Sequence, residues 1–187
     1  MELMRWFKRT RPESRRAQEW RAACLSAADR PDERILEQLR GELETWGSNE
    51  EETEIERELL DALRELLDLT KFVADVGLPL LQTGHRVVGN DACHFSVSCS
   101  MPDEPGQPSG RLLLTAARAI FVGGPRGTTV PWHAVREARH AERDLILIRA
   151  DRDDLYRFRC NSFSDTFRGV FIARRLIASR KRAGPGL

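Results

Sequence analysis

Apolar residues recur through the first third of the chain at spacings of three and four, the period of an α-helix. Ala17, Trp20, Cys24 and Ala27 form one such stripe, with Pro12 suited to its opening turn. Pro31 ends it and opens a second, in which Leu36, Leu39, Leu43 and Trp46 repeat the spacing. Gly47-Ser48-Asn49 breaks the chain, and Ser48 with Glu51 has the form of a capping box for a third helix. That helix carries the clearest pattern: Ile55, Leu59, Ala62, Leu66, Leu69 and Val73 alternate by four and three. Leu60, Leu63 and Leu67 widen the stripe, and Gly77 with Pro79 ends it.

From about residue 83 the period changes to two. In "CHFSVSCSM", Phe95, Val97, Cys99 and Met101 alternate with His94, Ser96, Ser98 and Ser100, which predicts one buried and one wet face. "PDEPGQPSG" reads as a loop, and "GRLLLTAARAIFVGG" as two strands. Thr128 to Pro131, "VREARH", "LILIRA" and "LYRFRC" follow as further short strands. Ser164-Asp165 then caps a helix presenting Phe167, Val170, Phe171, Arg174 and Ile177 on one face. The predicted fold class is α+β: an N-terminal α-helical hairpin or bundle, then an antiparallel β-barrel closed by a C-terminal α-helix. The expected boundaries are a basic amphipathic segment over 1–11, an acidic helical region over 12–76, a barrel domain over 80–180 and a basic tail over 181–187.

This order of elements resembles the pleckstrin-homology superfold, and within it the GRAM-like bacterial branch. The residues that carry the resemblance are Gly110 with Leu112, Leu114 and Thr115, then Ile120-Phe121, the turn Gly123-Gly124, and Val130-Pro131-Trp132 before Val135. Leu145, Leu147, Leu155-Tyr156 and Phe158 continue it up to the closing helix. The resemblance covers about residues 80–180 and implies a non-enzymatic module that binds lipid headgroups, membranes or proteins. Phosphoinositide binders of that superfold space Lys and Arg across the first strands, whereas His85 to Ser100 offers only Arg86 here.

Charge sharpens the division. The 187 residues have a net charge of +1, yet residues 17–80 carry −10 while 1–16 carry +4 and 171–187 carry +5. A nucleic-acid binder shows a basic stripe along its helices; the helices predicted here are the acidic part, which argues against nucleic acid as a partner. No apolar run approaches the roughly 20 residues of a membrane span. The opening "MELMRWFKRTRPESRR" lacks the apolar core of a secretory signal, and four scattered cysteines suit a reducing compartment. The expected localisation is therefore cytoplasmic, or peripheral to the inner face of the membrane.

Candidate chemistry is sparse. Gly123 to Thr129 imitates a phosphate loop but lacks the Lys and the helix that such a loop needs, so it reads as a hairpin turn. His85, Cys93, His94 and Cys99 lack the paired two-to-four-residue spacing of zinc ligands, and the cysteines read as small buried hydrophobes. Asp151, Asp153 and Asp154 lack the Gly and distal Glu of a calcium loop. No nucleophile elbow occurs. The expectation is no catalytic residue, no metal and no cofactor; a small enzyme with an unrecognised site is the weaker alternative.

Two stretches stand out as contact sites. Trp6 and Phe7, with Arg5, Lys8 and Arg9, have the make-up of an interfacial anchor for an anionic membrane surface, or of a segment packed on the protein itself. Ile55, Leu59, Leu66 and Leu69 form a seam that packs within the chain or meets a protein partner or second copy. The leading expectation is an adaptor at a membrane surface or on a protein partner. The alternative is a self-associating module acting through the 50–75 helix.

Overall fold

The computed structural model describes residues 15–46, 53–124, 127–151 and 154–183. The helical periods appear as α1 (Arg15–Ala27), α2 (Glu33–Glu44) and α3 (Glu54–Asp75). Asp32 caps α2, its carboxylate accepting from the amides of Arg34 at 2.8 Å and Ile35 at 3.3 Å. Trp20 Nε1 donates to Leu39 O at 3.0 Å, and Lys71 pairs with Glu33 at 2.8 Å. These contacts set α2 antiparallel to both neighbours. The start of α1 thus lies at the opposite end of the layer from the last turn of α3. The Ser48–Glu51 capping box and Pro12 fall outside the described residues.

The period-two stretches form a seven-stranded antiparallel sheet: β1 (Cys93–Ser100), β2 (Ser109–Thr115), β3 (Arg118–Gly123), β4 (Thr128–Pro131), β5 (Val135–Ala141), β6 (Asp144–Arg149) and β7 (Leu155–Cys160). Their order is β4-β3-β2-β1-β7-β6-β5. The outermost strands β4 and β5 do not pair with each other, so the sheet is open along that seam and not the closed barrel expected. The Trp132–Ala134 3-10 turn and the short β4, ending in Pro131, explain why closure stops there: proline has no amide to extend a ladder. A bulge between Cys93 and Phe95 also re-aims the start of β1. Cys93 therefore joins Val88, Leu113 and Ile120 on the outer face, while Phe95, Val97 and Cys99 enter the main core.

Helix α4 (Phe163–Ala183) binds the layers together. Val170, Ile172, Ala173, Leu176 and Ile177 pack into the sheet core, whereas Phe163 and Phe167 belong to the core of α1, α2 and α3. Gly169 allows the close approach, since a Cβ there would meet Leu145 Cδ1 at 2.7 Å and the Phe95 ring at 3.0 Å. The N-terminal cap differs from the Ser164 expected. Ser162 Oγ accepts from the Asp165 amide at 3.1 Å, and Ser164 instead donates to the Glu65 carboxylate. The helix also continues to Ala183, into the segment read as tail, because Arg, Lys and Ala favour helix until Gly184 and Pro185.

Candidate functional site

Three of the four seam residues on α3 turn toward the chain's own interior. Leu59 and Leu66 are each 1 % exposed, within a core shared with Trp20, Leu36, Leu39 and Phe167. Leu69 is half-buried against the sheet core, and Ile55 alone of the four is exposed, at 40 %. The seam's partner is α4, which arrives about a hundred residues later. A heptad-like pattern reports that a face is covered, not what covers it.

Two clefts flank this junction. One, of about 690 Å³, runs between α3 and the start of α4 and is lined by Glu54, Arg57, Glu58, Asp61, Glu65 and Arg168 among others. The other, of about 580 Å³, has Leu25, Ile55, Leu59 and Phe163 on its floor and Arg21, Arg143 and Arg159 at its rim. The rim charges are already matched. Arg21 meets Glu56 at 2.7 Å, Arg159 grips Asp144 at 2.8 and 3.0 Å, and Arg143 pairs with Glu58 while lying 5.1 Å over the Phe163 ring. Such a cleft offers shape and apolar area more than a reacting charge.

Five of the eight exposed large apolar residues among those described fall within residues 72–87, at the far end of α3 and in the segment after it. Phe72, Val76, Leu80, Leu81 and Val87 are exposed, Val76 at 72 % and Leu80 at 74 %. The connection from α3 is anchored beside them. His94 Nδ1 lies 2.8 Å from Pro79 O, and Leu81 bridges to Cys93. Residues 76–90 contain no Asp or Glu and one Arg, Arg86. Sequence reading passed over this stretch because it has no period. The signal available was the missing carboxylates in a chain with 29 of them.

The chemistry-bearing side chains do not converge. Cys24, Cys93, Cys99 and Cys160 are all buried thiols, and burial pushes Cys24 and Cys99 up to about 12 and Cys160 to about 11. His140 on β5 lies edge-on to Phe167, with centroids 5.2 Å apart and Nε2 3.3 Å from Asp29 Oδ1. Burial holds its pKa below the usual 6.5, with Arg174 adding to that and Asp29 opposing it. Among the described residues no group of three or more His, Cys, Asp or Glu side chains is placed to hold a metal ion. Gly123 to Thr129 runs from strand to strand, with Phe121 opposite Thr128, as the hairpin reading expects.

Trp6, Phe7, Arg5, Lys8 and Arg9 lie outside the described residues. No described helix is long and apolar enough to cross a membrane. Comparison with known proteins finds no matching family model and no similar curated sequence.

Proposed function

We propose that this chain is a non-enzymatic binding module of pleckstrin-homology-like, GRAM-like type that acts as an adaptor at an anionic membrane surface. The observation that carries the reading is the run of exposed apolar residues Phe72, Val76, Leu80, Leu81 and Val87, the last four of them in a stretch free of carboxylates. Exposed apolar surface of this kind marks interaction sites, and a loop without acids suits a surface of negative headgroups. The bent meander with a helix across it is the pleckstrin-homology-like part of the reading, and the open β4–β5 seam its departure from a closed barrel.

In this reading Trp6 and Phe7 add a second apolar contact, and Arg5, Lys8 and Arg9 meet headgroups. The chain enters α1 at the opposite end of the helical layer from Val76, separated by the 22 residues of α3, about 33 Å. The exposed Glu54, Asp61 and Glu65 lie 18, 11 and 7 residues before Phe72 and so share its face of α3, which confines the apolar contact to the end of that helix and the segment after it. The second reading, a self-associating module, rests on Ile55 in the apolar cleft between α1 and α3.

Co-sedimentation of the full chain with phosphatidylcholine vesicles, with and without phosphatidylglycerol, tests the first reading. Retention by the anionic vesicles that weakens with salt supports it. A protein that stays in the supernatant at low salt overturns it, and light scattering then shows whether a dimer sustains the second.

A further inference from the structure

Cys99 of β1 and Cys160 of β7 are direct partners across the middle of the sheet. Only two residue pairs join β1 to β7, this one and Ser100 with Arg159, whereas β1 runs beside β2 along its whole length. The half-sheet β4-β3-β2-β1 therefore meets the half-sheet β7-β6-β5 at a narrow neck, and the cysteines form half of it.

The hydrogen bonding sets their spacing. The Cys160 amide donates away from β1, to Arg143 O at 2.9 Å. On β1 the Met101 amide donates to Pro108 O at 3.0 Å, toward β2. Amides two residues apart on a strand point the same way, so the Cys99 amide also turns from β7. The pair thus occupies a non-hydrogen-bonded position, where Cα atoms approach to about 4.5 Å. Disulfides span Cα separations of about 4.4–6.8 Å. Residues directly opposite on antiparallel strands point to the same face, and both side chains lie in the sheet core, at 5 % and 3 % exposure.

We propose that Cys99 and Cys160 are a modification site: a reversible disulfide, formed at the expense of a peroxide, that locks the two half-sheets together at their neck. One sulfur, as thiolate, attacks a peroxide oxygen. The O–O bond breaks, the sulfur becomes a sulfenic acid, and the leaving hydroxide takes up the thiol proton as water. The second sulfur then attacks the first, the S–O bond breaks, and a second water leaves. Two electrons pass from the sulfurs to the peroxide, and two hydrogens leave the protein.

Burial makes both thiols weak acids, so closure is slow at neutral pH and accelerates about tenfold per pH unit while the thiolate stays scarce. Cys24 and Cys93 lie in separate cores and offer no competing pair.

The full chain, kept native, is treated with hydrogen peroxide at pH 7, 8 and 9, then denatured, alkylated, digested and weighed. The expected product is a Cys99–Cys160 linked peptide that gains in yield with pH, disappears on adding dithiothreitol, and raises the urea midpoint until reduced. It persists in the Cys24→Ala/Cys93→Ala double variant and is lost in Cys99→Ala. Sulfinic or sulfonic acid at either position without linkage overturns the proposal. So does a link involving Cys24 or Cys93, or four unmodified thiols after prolonged exposure at pH 9.

Discussion

Glu58 and Phe163, 105 residues apart, are joined by a hydrogen bond of 3.0 Å from the Phe163 amide to the Glu58 carboxylate. A carboxylate of α3 thus occupies the N-terminus of α4, where unpaired amides and the helix dipole favour negative charge. The other oxygen of Glu58 pairs with Arg143 beside the β5–β6 turn, so one side chain ties together helix, helix and sheet.

Replacing that carboxylate separates its two roles. Glu58→Ala leaves the Phe163 amide and Arg143 without their acceptor and is expected to cost about 1–3 kcal/mol. Glu58→Gln keeps an acceptor for the amide and is expected to cost about half as much. Urea denaturation of the two variants checks this, and equal losses would show that the amide contact contributes nothing.

Gly110→Ala is expected to destabilise the protein by about 1–3 kcal/mol or more. A Cβ at this position would stand 2.2 Å from Val122 O, a backbone atom of the paired β3 strand that cannot rotate aside. By contrast Gly41 has nothing within 4 Å of its added Cβ, so Gly41→Ala in α2 should be neutral or stabilising. Thermal melts of the two variants should shift in opposite directions, or at least differ by several degrees.

His140 makes stability depend on acid. Its native pKa lies below 6.5, so as pH falls through 6.5 the unfolded chain takes up the proton first. Stability contributed by the neutral ring is lost from that point down to the lowered native value, and no further below it. Asp29 from the α1–α2 turn and Arg174 from α4 face the ring, with Arg139 beside it on β5 interacting with Asp29. His140→Phe keeps the contact with Phe167 and removes the proton. Its urea midpoint should fall less between pH 7 and pH 5 than that of the parent, and parallel declines would refute the assignment.

Leu59→Ala and Leu66→Ala are expected to lower stability by about 2–5 kcal/mol each without altering the mass in solution, because both residues fill the chain's own core. A variant that stays folded but changes from dimer to monomer would return the seam to a partner helix.

Much of the architecture was legible because burial imposes local periods. Phe95, Val97, Leu112, Leu114, Phe121, Leu145, Leu147, Phe158 and Phe167 are buried as alternation and helical spacing predict, and Phe171 is half-buried between the two cores. The cap of α4 was less legible. Ser162 and Ser164 both precede acceptable first-turn residues, and what decides between them is Glu65, which engages the Ser164 hydroxyl from 99 residues away. The apolar end at Val76 and Leu80 was invisible for a different reason. Period reports burial, and these residues are exposed.

The sequence by itself therefore determined the kinds of element, their order and the face each one buries, since a period of 3.6 or 2 follows from backbone geometry within a few residues. Only the tertiary structure decided what those faces meet. It turned the α3 seam onto α4, left β4 and β5 apart, set Glu58 at a distant helix start and placed Cys99 opposite Cys160. Three of these join residues about sixty to a hundred positions apart, and the fourth keeps unpaired two strands that are neighbours in the chain. Nothing in the local spacing of either partner encodes the other, because the pairing is selected by the packing of the whole chain.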